Sequence, residues 1–416
     1  MRPKPDPTGA LTFSAALVGP LAIIAPLALA IVLPVTALVA AATSWRTGRP
    51  VTPPLVPSAI CTGVLAWSGT SAAWSADPGL VWSIWLQIAA IAASALTLLG
   101  VACTLDDDAR VRIGTALVYG VTTGLGLLAV EWMSGIVFDQ SVGAWAFEKL
   151  GHPFKPHIFN RGCAVLALLL WPAAYVLYAR KGFVGAAALI ATASVMIAQF
   201  ESLAAVAGIV TGIIVGFVSV RIAKPCIVAL GLAFVLAGGM AAAPVLPRLV
   251  APADIATMWN IPGSSYHRLL IWSYSAQIIG ERPVTGQGLN ASRAIPKQVA
   301  DDPRAGEIPL HPHNAFLQWW LELGGIGVAL ILGLLLIGLR GAARLAPSQL
   351  SFARPAQAAA LALAASAIVM GGTAYGIWQT WWMATLWLAV ILMATVAGSS
   401  VISSPDNIRR LSFLRT

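Results

Sequence analysis

Apolar residues come in long runs separated by short polar breaks along nearly the whole chain. Runs of about 17 to 25 residues have the length at which a helix crosses the hydrocarbon core of a bilayer. The pattern predicts twelve helices, over 11–25, 27–45, 55–75, 79–103, 111–138, 158–179, 182–198, 202–221, 226–246, 315–339, 355–377 and 380–401. The first two form one run of 35 residues, "LTFSAALVGPLAIIAPLALAIVLPVTALVAAATSW" (11–45). That run is too long for one crossing, and it divides near Pro26 because proline interrupts a helix. A signal peptide is the competing reading of this end, but its apolar core would be several times shorter.

The pattern fails for a long stretch only at 247–312, about 66 residues of mixed composition between the ninth and tenth spans. Loops of this length without structure are unusual unless they bind or cover something. Within it, "YHRLLIWSYSAQII" (266–279) sets Leu269, Leu270, Trp272, Ala276 and Ile279 at roughly helical spacing. Pro283, Gly286 and Gly288 then punctuate a turn in "ERPVTGQGLN". A short amphipathic helix on or near the membrane surface is expected there. The resulting organisation is spans one to nine in 1–246, a loop in 247–312, and the last three spans with the C-terminus in 313–416. No repeat of fixed period is present.

With 58% hydrophobic and 10% charged residues, the apolar groups exceed what a soluble fold of 416 residues could hide. The fold class expected is an all-α polytopic membrane protein. Charge tests the span count independently, because Lys and Arg near span ends collect in the cytoplasm. With the N-terminus inside, 16 of the 25 basic residues fall on the cytoplasmic side. The other nine, Lys149, Lys155, Arg161, Arg248, Arg268, Arg282, Arg293, Lys297 and Arg304, fall outside and in two regions only. Topology thus accounts for most of the net charge of +9, and no nucleic-acid partner is needed. Cys61, Cys103, Cys163 and Cys226 lie in or at the ends of apolar spans, with neither a disulfide framework nor zinc spacing.

The candidate chemistry gathers on the outer face. Arg161 stands at the mouth of the sixth span, in a face whose short loops lack Lys and Arg, and its guanidinium matches phosphate oxygens in a bidentate fork. An arginine snorkelling to headgroups is the plainer reading. Arg268 sits in the loop helix, where a charge on the polar face is also ordinary. Arg282, Arg293, Lys297 and Arg304 are solvated loop charges, of which Arg282 and Arg293 are candidate supporting residues. His313 and Asn314 precede the tenth span in "HPHNAFLQWWLELGGIG" (311–327). A helix N-terminus there presents free N–H groups and a positive dipole end to an anion. The same field lowers the pKa of an imidazole, leaving it available as a base near neutral pH; a hydrogen-bonded structural histidine is the plainer reading. His311, beside Pro312, shapes the loop. Glu322 is a carboxylate about two turns into the span, with Gln318 four residues before it on the same face, placed to line a polar cavity or orient a neighbour. Gly324 and Gly327 are one turn apart, a spacing that lets another helix approach closely.

The string His313, Asn314, nine residues, Gly324, two residues, Gly327 resembles the signature of the bacterial O-antigen ligase family. The wider group includes O-antigen polymerases and protein O-oligosaccharyltransferases. Twelve spans, a large outer loop just before the histidine, and the arginine of "NRG" at the head of a preceding helix agree with it. The resemblance implies that Arg161 and Arg268 bind the undecaprenyl diphosphate of a lipid-linked glycan donor and that His313 activates the acceptor hydroxyl. Neither metal nor cofactor is implied. The activity implied is transfer of O-antigen polysaccharide onto lipid A-core, with inversion, at the periplasmic face of a bacterial inner membrane. A polymerase or a protein-glycosylating enzyme of the same group remains open. A secondary transporter is the rival from another class, but candidate charges at the surface rather than the midplane, and the lack of matching halves, count against it.

Overall fold

The computed structural model describes residues 8–48, 51–134, 159–221, 224–249, 252, 254, 263–296, 308, 310–347 and 350–398. The helices are α1 (Thr8–Ile24), α2 (Leu29–Arg46), α3 (Leu55–Thr70), α4 (Pro78–Ala102), α5 (Asp107–Ser134), α6 (Phe159–Ala198), α7 (Leu203–Arg221), α8 (Pro225–Ala242), α9 (Gly263–Glu281), α10 (Ala315–Ala342), α11 (Ala353–Thr373) and α12 (Thr380–Val396). Single turns occur at Pro26–Ala28, Leu246–Leu249 and Ala291–Arg293. The expected outer loop 139–157, with Lys149 and Lys155, lies outside the described residues, as do Lys297 and Arg304.

Each of the twelve expected spans overlaps a helical segment among the described residues; 135–138, 158 and 399–401 lie outside them. The division near Pro26 is present as a 3₁₀ turn between α1 and α2. Residues 159–198 run on as one helix in hydrogen bonding, yet Gly182 has φ 68 and ψ −164. A Cβ on Gly185 would stand 2.6 Å from that of Lys181, where a regular helix separates such atoms by about 5–6 Å. The chain therefore turns sharply at Gly182, and the expected sixth and seventh spans are separate segments. Among the described residues, eight helices are long and apolar enough to cross a membrane by length and composition, and α1 and α12 are shorter apolar helices. Large apolar side chains such as Phe13, Ile31, Leu38, Phe217 and Phe234 stand exposed on their outer faces, as lipid-facing helices require. The chain is an all-helical, multi-pass membrane protein.

The first half of α6 is the centre of the bundle, buried from Gly162 through Val176. Small residues allow the close contacts around it. A Cβ on Gly120 of α5 would meet the Ala16 carbonyl oxygen of α1 at 2.8 Å, and one on Gly162 the Ala22 carbonyl at 2.5 Å. On the other side the Trp171 indole donates to Ser366 Oγ (2.8 Å), which donates to the Gly208 carbonyl (2.7 Å), so α6, α7 and α11 are tied by one relay.

The loop helix forms as expected, and Ala276 and Ile279 of the expected face are buried, but the packed face extends to other positions. Ile271, Tyr274, Ile278 and Ile279 are buried against Leu317 and Leu321 of α10, while Leu269, Leu270 and Trp272 are half-buried. The cause is the neighbour: α9 lies against another helix, and the Trp272 indole points to the Pro312 carbonyl at 2.8 Å.

Candidate functional site

The site is built around a second break, at Gly324, where α10 has φ 62 and ψ −168. A helix end leaves carbonyls and N–H groups without partners. Here residues 283–288 and a tryptophan supply them. Gln287 N–H donates to the Leu321 carbonyl (2.8 Å) and Gly288 N–H to that of Glu322 (2.9 Å). The Trp67 indole caps Leu323 at 2.9 Å. Past the break, Gly325 N–H donates to Pro283 (2.9 Å) and Ile326 N–H to Val284 (3.3 Å). Backbone approaches this close need glycine. Gly286 has φ 71, and its Cβ would lie 2.5 Å from the Glu322 carbonyl carbon and 2.6 Å from Gly324 N. The expectation that Gly324 and Gly327 admit a neighbouring helix is therefore corrected. Gly324 admits the 283–288 strap, and a Cβ on Gly327 would collide with Leu323 of its own chain across the break.

Glu322, fully buried, locks this junction. Its Oε2 accepts from Asn290 N–H (2.6 Å) and the Trp378 indole (2.6 Å), and its Oε1 from Ser292 Oγ (2.5 Å) and Gln318 Nε2 (3.1 Å). Four donors on two oxygens suit a carboxylate, which only accepts. Three segments distant in sequence are thereby held together: residues 290–292 just after the strap, α10 and the loop after α11.

That loop, "TAYGIWQ" (373–379), carries no residue the sequence reading singled out, yet nearly every position touches the site. The Thr373 carbonyl accepts from Arg268 (3.3 Å) and the Ala374 carbonyl from His313 Nδ1 (2.9 Å). Tyr375 donates to the Asn160 carbonyl at 2.8 Å. Gly376 leaves room for the His311 ring, which a Cβ would meet at 2.6 Å. Ile377 N–H donates to Gln318 Oε1 (2.9 Å), Trp378 binds Glu322, and Gln379 Nε2 lies 3.0 Å from His311 Nε2. The contacts of Thr373, Ala374 and Ile377 run through the backbone, where residue type could not announce them. The one legible signal was the cluster of aromatic and small residues between two apolar runs.

His313 adopts φ 55, a left-handed conformation that non-glycine residues rarely take outside constrained sites. A carbonyl only accepts, so the contact with Ala374 puts the proton on Nδ1 and leaves the lone pair on Nε2. Burial is the main cause holding its pKa below 6.5; the Ala374 contact opposes this, and Arg268 and His267 add to it. Asn314 turns out to be the helix cap, its Oδ1 accepting from Phe316 N–H (2.9 Å) and Leu317 N–H (3.2 Å), the usual task of an asparagine at this position.

His311 is buried beside it, with ring centroids 4.3 Å apart. Its Nδ1 accepts the His313 N–H at 3.1 Å. Burial first, then His313 and Arg293, push its pKa down to about 3 from 6.5. The unfolded chain therefore takes up this proton at a higher pH than the folded one. Stability from neutral His311 is complete above about pH 6.5 and is lost as pH falls towards about 3. The thermal unfolding midpoint should drop across that window, and His311→Gln should flatten the drop. An equally steep drop in the variant would assign it to other groups.

The arginines divide. Arg161 is half-buried, its guanidinium 5.9 Å from the centroid of the Trp381 ring, and Trp381 stacks edge-on against Tyr375 at 5.0 Å. Arg268 is exposed on the first turns of α9. Arg268 binds the carbonyl of Thr373 at the start of the loop and Arg161 lies over Trp381 just past its end, so the two flank one loop, and both oppose the burial that raises the Tyr375 pKa. Arg282 is exposed and donates to the Trp74 carbonyl (3.1 Å), which fastens the strap. Arg293, also exposed, ends the turn that carries Ser292.

Residues 164–332 match the family described as O-antigen ligase. A protein of Rickettsia bellii with the provisional name polysaccharide ligase is 30% identical over 302 residues, 70% of each chain. A Rickettsia conorii protein of the same provisional name is 29% identical over 308 residues, 71% of this chain and 70% of its own. The chain belongs to the O-antigen ligase family. Membership agrees with the resemblance drawn from His313, Asn314, Gly324 and Gly327, and makes a ligase-type glycosyl transfer the coarse activity. The family match takes in Arg268, the strap, His313 and Glu322; Arg161 and the 373–379 loop lie beyond it.

Proposed function

We propose that this O-antigen ligase family member moves O-antigen polysaccharide from undecaprenyl diphosphate onto lipid A-core, at the periplasmic face of the inner membrane. The observation that carries the reading is the tautomer of His313. With Nδ1–H donated to Ala374, Nε2 is a lone-pair base at the head of α10, and Arg268 binds the adjacent carbonyl. His313 Nε2 takes the proton of the acceptor hydroxyl as its oxygen forms a bond to the anomeric carbon of the donor glycan. The bond from that carbon to the diphosphate oxygen breaks, and the electron pair leaves with undecaprenyl diphosphate. Arg161 and Arg268 stabilise the negative charge that develops on it. Attack from the side opposite the leaving group inverts the anomeric centre, and no covalent enzyme intermediate is needed. The provisional name polysaccharide ligase of the relatives supports ligation over polymerisation, and lipid A-core is the acceptor proposed.

The test is transfer by purified protein, given lipid-linked polymer and lipid A-core in the same vesicles. Polymer attached to core supports the reading; longer lipid-linked polymer with an unmodified core would point to a polymerase and overturn it. In the same assay Arg161→Ala and Arg268→Ala are each expected to weaken donor use, by about tenfold or more for loss of a charged contact. Lysine should restore little, since an ammonium lacks the guanidinium fork. Unchanged donor KM and rate in both alanine variants would remove the arginines from the donor site.

A further inference from the structure

Beside the helix break lies a cavity of about 250 Å³, lined by Ala76, Tyr274, Ile278, Glu281, Gln287, Ala291, Ala294, Ile295 and Pro296. We propose that it is a saccharide subsite holding one neutral sugar ring of a glycan whose reacting end lies at His313. This rests on the transfer reading above and adds where a glycan is gripped away from the bond being made.

Size and chemistry both restrict the occupant. Pockets for drug-sized ligands run to roughly 300–1,000 Å³, so this one suits a single ring rather than an acyl chain or an extended oligosaccharide. The Glu281 carboxylate repels phosphate, which separates the cavity from the arginine-flanked loop on which Arg161 and Arg268 converge. A carboxylate, an amide and a phenol oxygen together present acceptors and a donor to neighbouring hydroxyls. Tyr274 donates to the Pro296 carbonyl (2.8 Å) and keeps its oxygen free to accept. The Gln287 amide is held only by long contacts, 3.4 Å to the Ile278 carbonyl and 3.5 Å to Glu281 Oε2, which a sugar hydroxyl can displace. Ile278, Ile295 and Pro296 offer an apolar wall for the C–H face of a ring.

Position links the cavity to the reacting residues. At 1.5 Å per residue, α9 places Tyr274 about 9 Å and Glu281 about 20 Å along its axis from Arg268. A short oligosaccharide spans such a distance and a single sugar does not, so the ring held here is removed from the one that reacts. The Gln287 backbone also caps Leu321 in the first half of α10, so an occupant bears on the strap that shapes the His313 helix.

Saturation-transfer NMR on the full chain in nanodiscs tests this with methyl α-glucoside, methyl α-galactoside and methyl N-acetyl-β-glucosaminide as probes. At least one should receive saturation on its ring protons. Signal should fall about fivefold or more in Glu281→Ala and in Gln287→Ala, the loss of one or two hydrogen bonds, and vanish in Ala294→Trp, which fills the space. No saturation of any probe, or undiminished signal in Ala294→Trp, would overturn the subsite. Steady-state transfer identifies the glycan: the same variants should raise one KM about tenfold with kcat within about twofold. A raised lipid A-core KM assigns the ring to the acceptor, and a raised KM for lipid-linked polymer assigns it to the donor. Binding without any transfer would leave the subsite standing and bring down the transfer reading alone.

Discussion

His313→Ala is expected to lower transfer per folded molecule by roughly 10²- to 10⁴-fold, the contribution of a general base, while lipid-linked donor still binds. The structural cost should be small, since the side chain makes one hydrogen bond, to Ala374, and such a bond contributes about 1 kcal/mol. The φ of 55 at this position disfavours alanine, so His313→Asn is the companion variant. Asparagine tolerates the left-handed region, and its amide can donate to Ala374 while offering no base. Wild-type rate per folded molecule should be flat near and above pH 6.5 and fall as pH drops through the depressed imidazole pKa, because protonation removes the Nε2 lone pair. Both variants should lose this limb. Near-normal rates in a well-folded His313→Asn protein would end the assignment of His313 as base.

Gly324→Ala should damage the site without touching a reacting group. A Cβ there collides with the Val284 carbonyl and would lie 2.5 Å from Gly286 N, backbone atoms that cannot rotate away. The backbone conformation alone, φ 62 and ψ −168, is essentially restricted to glycine and costs another residue about 1–3 kcal/mol. Displacing the strap adds the loss of its hydrogen bonds across the break, at about 1 kcal/mol each. The total, on the order of 3–5 kcal/mol, is a large part of the margin of a typical fold. Gly333→Ala is the control, since nothing lies within 4 Å of a Cβ there. A lowered thermal midpoint and lost transfer in Gly324→Ala, with neither in Gly333→Ala, is the expected result. If both variants match wild type, the break is not held by the strap.

The spans were legible because the bilayer makes each one declare itself. An apolar run must be about 20 residues long, and each of the twelve runs overlaps a helical segment among the described residues. His313 and Asn314 were legible as the start of a helix, and Asn314 does cap it. Glu322 stood out as a carboxylate in an apolar run, but its partners Asn290, Ser292 and Trp378 lie 30 to 56 residues away, a range over which no local pattern operates. Gly324 was visible and misread, because a glycine that admits a helix and one that admits an irregular strap look alike in sequence. The 373–379 loop was missed for a different reason. Its contacts with Arg268, His313 and Gln318 use the carbonyls of Thr373 and Ala374 and the N–H of Ile377, groups every residue type possesses. The partners of its Tyr375, Trp378 and Gln379 side chains lie 56 to 215 residues away.

The carbonyl that sets the protonation of His313 belongs to the joint between α11 and α12, some 40 residues past the stretch that defines the family. Exchanging residues 164–332 between two relatives would move His313, the proposed base, and leave its Nδ1 to be met by the recipient's own 373–379 loop. Such a graft keeps its tautomer only where the recipient's last helical hairpin holds the same backbone conformation, so two relatives with the same signature differ here through the shape of that loop rather than through its residue types.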